Sequence, residues 1–303
     1  MSNEKNCKYV SSRGIAQNCD VYPNYIKSDI TQLNLNDYKN IKNNDIVYVI
    51  SSTLKQFVDW ILPSLEKNNI RIKLVTGGCV YGLPNELSTM HGIHYVNRFF
   101  KDSDSIIKWY TQNYDLPTKH PNIVAIPLGL DYHTLQEKTY IPWGEKSAAK
   151  EQDEQIDKLY KNFLSFDKRL DKTLSYYHFR MFHRHGADRY MANRALMNKN
   201  FNDFLSTPQK RNVTWELCTK YKFVISPHGN GLDCHRTYEA AILGCIPIVK
   251  SSSLDIIYKN MPIIILNDWS EINIKNLLKK SDEILKKGRE SLTLKYWMDI
   301  IKY

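Results

Sequence analysis

Neither paired cysteines nor a long apolar run organises this chain. Its six cysteines (Cys7, Cys19, Cys79, Cys218, Cys234 and Cys245) are scattered, with no C-x-x-C or other metal-type spacing. That excludes a disulfide scaffold and the common zinc modules. No stretch approaches the roughly 18 consecutive apolar residues of a membrane span. The opening MSNEKNCKYVSSRG lacks the apolar segment of a signal peptide, so the expectation is a cytoplasmic chain with reduced thiols and no membrane anchor. GGCVYG and HGNGLD fail the Walker and G-x-G-x-x-G patterns, Ser226 sits in no G-x-S-x-G elbow, and the nine histidines form no H-E-x-x-H. NTPase, serine-hydrolase and zincin chemistry are therefore unsupported.

What is present is ordinary in bulk and uneven in charge. The 303 residues suffice for two domains, and 42% hydrophobic with 24% charged residues is a globular composition. Forty-two Lys and Arg against 32 Asp and Glu give +10 with His neutral, which favours anionic partners: nucleic acid, anionic membrane or phosphate-bearing small molecules. The lean on Lys, Asn and Ile equally fits an AT-rich genome. The basic residues are dispersed, with no RNP, KH or zinc-finger pattern, so nucleic acid is not the expected partner.

Short β-branched runs alternate with helical patterns. Residues 45–53 read as a strand, 54–69 as a helix, RIKLVTGGCVYG as a strand ending in glycines, 93–100 as a strand, 103–114 as a helix and 122–130 as a strand. After a polar, helix-prone stretch the alternation resumes, with strands at 173–182, 222–227, 245–249 and 261–266 and helices at 188–198 and 235–244. This pattern predicts an α/β protein with parallel sheets. The expected organisation is a first Rossmann-like domain over 1–135, a connection over 136–170, a second Rossmann-like domain over 171–285 and a C-terminal helix over 286–303 that packs back on the first domain.

The most informative stretch is KFVISPHGNGLDCHRTYEAAILGCIPIVK, residues 222–250. A buried strand ends at Pro227, a turn containing Gly229 and Gly231 follows, and a helix opens near His235 to Thr237. Glycines admit close backbone approach, and a helix start is an anion site. Arg236 adds a charge suited to phosphate oxygens, and Glu239, a turn further on, is placed to accept from a ribose diol. The plainer reading is a structural turn with a dipole-favoured Glu.

The segment SPHGNGLDCHRTYEAAILGCIPIV resembles the donor-binding segment of exostosin-like glycosyltransferases, in which an Arg-x-x-Glu-Ala helix leads into Gly-Cys-Ile-Pro. WYTQNYD (109–115) and IPLGLDYHT (126–134) resemble segments of viral and bacterial relatives. The resemblance implies a GT-B fold, with two Rossmann-like domains facing across a cleft, and an inverting glycosyltransferase that needs no metal or other cofactor. It implies a nucleotide-sugar donor, a UDP-sugar by analogy, and an oligosaccharide or glycoprotein glycan as acceptor. Carried over, Arg236 meets the diphosphate, Glu239 the ribose, and His228, Gly229, Asn230 and Gly231 line the phosphate turn beside Thr237. Animal exostosins carry a membrane anchor; none is expected from this sequence, so a soluble viral or bacterial relative fits better.

Other constellations complete the candidate list. FRMFHRHGADR (179–189) concentrates Arg180, Arg184 and Arg189 with His183 and His185, and Arg184 and Arg189 are the expected diphosphate contacts. Zinc on the two histidines is disfavoured by the adjacent arginines. Asp102-Ser103-Asp104 has the D-x-D form of a metal motif, but Ser103 or Asp104 equally caps the helix expected after it. His91-x-x-His94 is interrupted by Gly92 and reads as packing. An inverting transfer needs a base at the carboxyl end of a first-domain strand. Glu86, Asp102, Asp131 and His133 qualify, with Asp102 and Asp131 preferred. The competing readings are a basic nucleic-acid-binding protein and an inactive sugar-nucleotide binder of the same fold.

Overall fold

A computed structural model describes residues 3–27, 30–137, 142–177 and 184–303. Four strands, β1 (Ile46–Ile50), β2 (Ile72–Gly77), β3 (Ile106–Thr111) and β4 (Ile123–Ala125), form one all-parallel sheet in that order. Five more, β5 (Leu170–Ser175), β6 (Asn202–Phe204), β7 (Tyr221–Ile225), β8 (Ile246–Lys250) and β9 (Ile264–Leu266), form a second parallel sheet in the order β6-β5-β7-β8-β9. Strands such as IVYVI of β1 are buried along their whole length, as expected where helices cover both faces of a parallel sheet.

The helices used below are α1 (Ser12–Gln17), α2 (Asn85–His91), α3 (Tyr95–Phe100), α4 (His133–Glu137), α5 (Ala149–Lys161), α6 (Gly186–Leu196), α7 (Arg211–Cys218), α8 (His235–Ile242), α9 (Ile274–Leu285) and α10 (Leu294–Lys302). One apolar core runs from the first sheet to Tyr238, Ile242 and Tyr258 of the second domain, and a smaller one under α9 fills the other face of the second sheet. The fold is α/β, with two Rossmann-like parallel sheets of four and five strands, one in each half of the chain. Helix α10 packs on α1, with Val10 N donating to Leu292 O (3.1 Å), Leu294 N to Lys8 O (3.0 Å) and Lys73 Nζ to Ile301 O (3.0 Å).

Two expected elements are exchanged. Residues 93–100, expected as a strand, contain helix α3: Gly92 ends α2 at φ 65° and His94 Nδ1 accepts from Asn97 N at 3.3 Å to start the next turn. Residues 103–114, expected as a helix, contain β3. Ile106, Trp109 and Tyr110 are buried, and Trp109 Nε1 donates to Thr76 Oγ1 of β2 at 2.8 Å. Tertiary pairing outweighs the helical spacing of its apolar residues. Ser103 therefore caps no helix; its Oγ accepts from Ser105 N in a turn before β3. Strand β6 was not anticipated, and positions 178–182 of the expected 173–182 strand lie outside the described residues, as do Arg180 and His183.

Gly129 sets the position of α1. Its φ is 72°, and a Cβ there would lie 2.1 Å from Val10 O. Only glycine admits that approach, and with Leu130 N donating to Val10 O at 2.8 Å it seats Ser12 and Arg13 beside the end of β4.

Candidate active site

A cavity of about 430 Å³ opens between the domains. Its wall comes from segments that leave the carboxyl ends of strands: Gly78–Val80 after β2, Asn113 after β3, Leu128 and Asp131 after β4, Tyr176 after β5 and Gly229–Cys234 after β7. Open parallel sheets present ligand sites at this edge. Ser12 and Arg13 from α1, Trp143 from the connection and Arg211 from α7 close the rest of the perimeter.

The glycine turn is held from both domains. Asn113, in a left-handed backbone conformation (φ 49°), accepts from Asp233 N at 3.0 Å and donates to Cys79 O at 3.0 Å. Asp233 accepts from Leu128 N (2.8 Å), Tyr238 OH (2.6 Å) and Tyr258 OH (2.6 Å). Burial pushes its carboxyl above the usual range, against those hydrogen bonds. A Cβ on Gly231 would stand 3.0 Å from both Asn113 Oδ1 and Val80 O, so any larger residue here would press on the contact between domains. On the other side, Asp188 accepts from His228 N (2.9 Å) and Trp269 Nε1 (2.7 Å).

Two arginines stand over this turn. The buried Arg189 donates through Nε to His228 O at 3.1 Å. Arg236, in the first turn of α8, lies 5.6 Å from the ring centroids of both Tyr176 and Tyr177, and among the described residues no carboxylate pairs with it. Burial, then the neighbouring positive charge of Arg236, pulls the Arg189 pKa down. No side chain caps α8, whose N-cap is Cys234. Glu239, one turn into the helix, is 7% exposed and lies 3.6 Å from Arg211 Nε.

The first-domain wall carries an imidazole and a carboxylate. Asp131 Oδ1 accepts from Thr134 N at 3.0 Å and lies 3.0 Å from His133 Nδ1, while its Oδ2 is 3.2 Å from Arg211 Nη2. Burial would raise this carboxyl, but the charges of His133, Arg211 and His235 with the Thr134 N–H together hold it well below the carboxylate range. His133 is pushed down to about 4, by burial first and by Arg13 and His235, against the opposing pull of Asp131. His235 Nδ1 is 2.7 Å from Gly129 O. A carbonyl only accepts, so the proton is on Nδ1.

Of the residues singled out from sequence, Asp131, Arg189, Gly229, Asn230, Gly231, Arg236 and Glu239 line the cavity. So does His133, and the others are placed elsewhere. Asp102 is an exposed residue at the amino end of β3, the sheet edge away from the cavity, because the strand follows it rather than precedes it. Arg184 pairs with Glu86 of the first domain and stacks 4.5 Å over the Tyr81 ring. Glu86 also accepts from Gly82 N at 2.7 Å. Thr237 Oγ1 is buried 2.8 Å from Ser226 Oγ, and His228 Nδ1 is held 2.7 Å from Leu232 O. His91 bonds Tyr95 OH at 2.6 Å, and the His185 ring meets His228 edge-on, 5.9 Å between centroids. Arg13, Trp143 and Arg211 line the cavity without a motif to announce them, and Asn113 does so from within WYTQNYD. Among the described residues, no group of three or more His, Cys, Asp or Glu side chains is arranged to hold a metal, and no helix is long and apolar enough to cross a membrane.

No family model matches the chain, and no curated protein matches it significantly in sequence. Solved structures are similar in overall layout. An α1,3-fucosyltransferase with GDP-fucose has a TM-score of 0.38 at 12% identity over 91% of this chain and 94% of that one. The α,α-trehalose 6-phosphate synthase of Burkholderia multivorans has 0.43 at 10% identity over 86% and 71%, and a spinosyn rhamnosyltransferase 0.33 at 11% over 84% and 68%. Likeness this loose leaves the chemistry to the cavity itself.

Proposed function

We propose that the protein is a glycosyltransferase of the exostosin-like kind, moving a sugar from a nucleoside-diphosphate donor, a UDP-sugar, to a glycan hydroxyl with inversion and without a metal. The observation that carries this reading is the pair Arg189 and Arg236 beside a glycine turn and an uncapped helix start. Two guanidiniums facing one cavity repel each other, and a diphosphate between them relieves that repulsion while accepting their N–H groups. The same charges would stabilise the departing nucleoside diphosphate as its bond to the anomeric carbon breaks. Glu239 is placed to accept from the ribose hydroxyls. The opposite wall, with Asp131 and His133, would face the acceptor and take its proton. Holding acceptor oxygen and anomeric carbon in line supplies much of the rate.

The test is thermal stability of the whole chain with UDP, GDP, CMP and a short RNA, in EDTA. A rise with one nucleoside diphosphate alone is expected, and it directs the choice of sugar nucleotides for turnover. A response to RNA alone, lost in salt, refutes the reading in favour of electrostatic nucleic-acid binding. Retained nucleotide binding without transfer or donor hydrolysis would identify an inactive binder of the same fold.

A further inference from the structure

Resting on that reading, we infer that His133 Nε2 is the atom that takes the acceptor proton, and that Asp131 and Arg211 are positioning residues which tie this base to Glu239 on the donor side. A bare Nδ1 lone pair would face the negative Asp131 Oδ1 at 3.0 Å, so the charge of the carboxylate places the His133 proton on Nδ1. The lone pair is thereby left on Nε2, on a residue that lines the cavity. Asp131 itself is spoken for on both oxygens, by Thr134 N and His133 on one and Arg211 on the other. A carboxylate so engaged orients its neighbour rather than taking a proton.

Arg211 extends the arrangement across the cleft. Its Nη1 donates to Gln152 Oε1 at 2.8 Å, its Nη2 reaches Asp131, and its Nε lies 3.6 Å from Glu239 Oε1. Glu239 belongs to α8 of the second domain and Asp131 follows β4 of the first, so one guanidinium joins the ribose-side carboxylate to the base-side carboxylate. In the step proposed, Nε2 accepts the hydroxyl proton as the acceptor oxygen bonds to the anomeric carbon. The bond from that carbon to the phosphate oxygen breaks, and its electron pair leaves with the nucleoside diphosphate.

The groups facing His133 are Asp131, Glu137 of its own helix, Arg13 of α1, His235 of α8 and Arg211 of α7. Their sum and burial keep the imidazole neutral, and so able to accept, at neutral pH.

Two measurements on the whole chain test this. Nitrogen-15 NMR of histidine-labelled protein, with His133 assigned by difference from His133→Gln, should show the neutral ring protonated on Nδ1 and bare on Nε2. A proton on Nε2 overturns the proposal, and this result needs no substrate. Release of UDP or GDP from a panel of UDP-sugars and GDP-sugars is the second readout. His133→Gln should lower the rate about 100-fold or more, the usual range for loss of a general base, with nucleoside-diphosphate affinity held within about twofold. A rate within about threefold of wild type in the folded variant overturns the base assignment. A wild-type chain that binds no nucleoside diphosphate overturns the transfer reading itself, and the base role with it. Asp131→Asn should lower kcat without raising KM for the donor, and an unchanged kcat would remove its positioning role.

Discussion

Replacing Arg211 by Met should be among the costliest single changes outside the apolar core. The guanidinium is 9% exposed and stands between two carboxylates, Asp131 and Glu239, whose side chains are 8% and 10% exposed. Met retains the aliphatic bulk but leaves both charges without their shared cation, and it also strips Gln152 Oε1 of its donor. Removing one partner of a buried ion pair costs about 3–5 kcal/mol, because the other charge stays buried and uncompensated. At roughly 2 °C per kcal/mol for a chain of this size, the melting midpoint should fall by about 6–10 °C. The assay is thermal and urea unfolding of wild type, Arg211→Met, Asp131→Asn and the double variant. The double variant should be more stable than the sum of single losses predicts, by about 1.5 kcal/mol or more, since a neutral amide removes one of the two charges that Arg211→Met orphans. The pH dependence has a definite sign. Asp131 is held below its unfolded value, so its contribution is full above about pH 3.9 and drains away as the pH falls further. The gap between wild type and Arg211→Met should therefore narrow in acid. A midpoint shift under about 2 °C at pH 7, or strictly additive losses, would refute the description of Arg211 as a buried bridge.

Other outcomes follow from single sites. Arg236→Ala should weaken nucleoside-diphosphate binding by about 1.5–3 kcal/mol in calorimetry without unfolding the chain; unchanged affinity would take Arg236 out of the donor site. Gly129→Ala, facing Val10 O at 2.1 Å in a left-handed conformation, should cost more than about 4 kcal/mol or prevent folding. Gly92→Ala, with the same handedness but nothing within 4 Å, should cost only about 1–2 kcal/mol. Equal losses would show that backbone handedness, not the close approach, sets the requirement. Asp115 is raised to about 6 by burial, against the hydrogen bond from Asn85 N. Its native form holds the proton more tightly than the unfolded chain, so its contribution declines as pH rises from about 4 to about 6. Urea midpoints of Asp115→Asn should lack that slope.

The second domain was the more legible half because its signals are local. Strand β7, the glycine turn, α8, Gly244 at φ 74° and β8 follow one another within thirty residues, and each is set by its own sequence. The first domain depends on pairing at a distance. In IIKWYT the apolar residues suit a helix and a fully buried strand alike, and only contact with β2 and β4 decides. That one exchange moved Asp102 from the carboxyl to the amino end of its strand and took it from the cavity. Arg13 and Arg211 lie 198 positions apart in a chain without a motif around either. They meet the cavity through the Gly129–Val10 contact and the interdomain pairing of Asp131, which no local pattern encodes.

The stitching of α10 onto α1 gives the molecule an order of assembly. The first domain borrows its last layer, Leu292 to Lys302, from beyond the second domain in the chain. During synthesis its sheet can pair, but Val10 N, Lys73 Nζ and the apolar face of α1 wait until Leu292 to Lys302 emerge. The second domain waits for less, since the helices on both faces of its sheet, α6 to α9, lie within residues 170–285, and Ser291 adds only its Oγ bond to Asn260 O. A ribosome-stalled or prematurely stopped chain should thus present a more complete second domain beside an unfinished first one. Proteases acting on such nascent chains should cut first in the amino-terminal domain, the part made earliest and completed last.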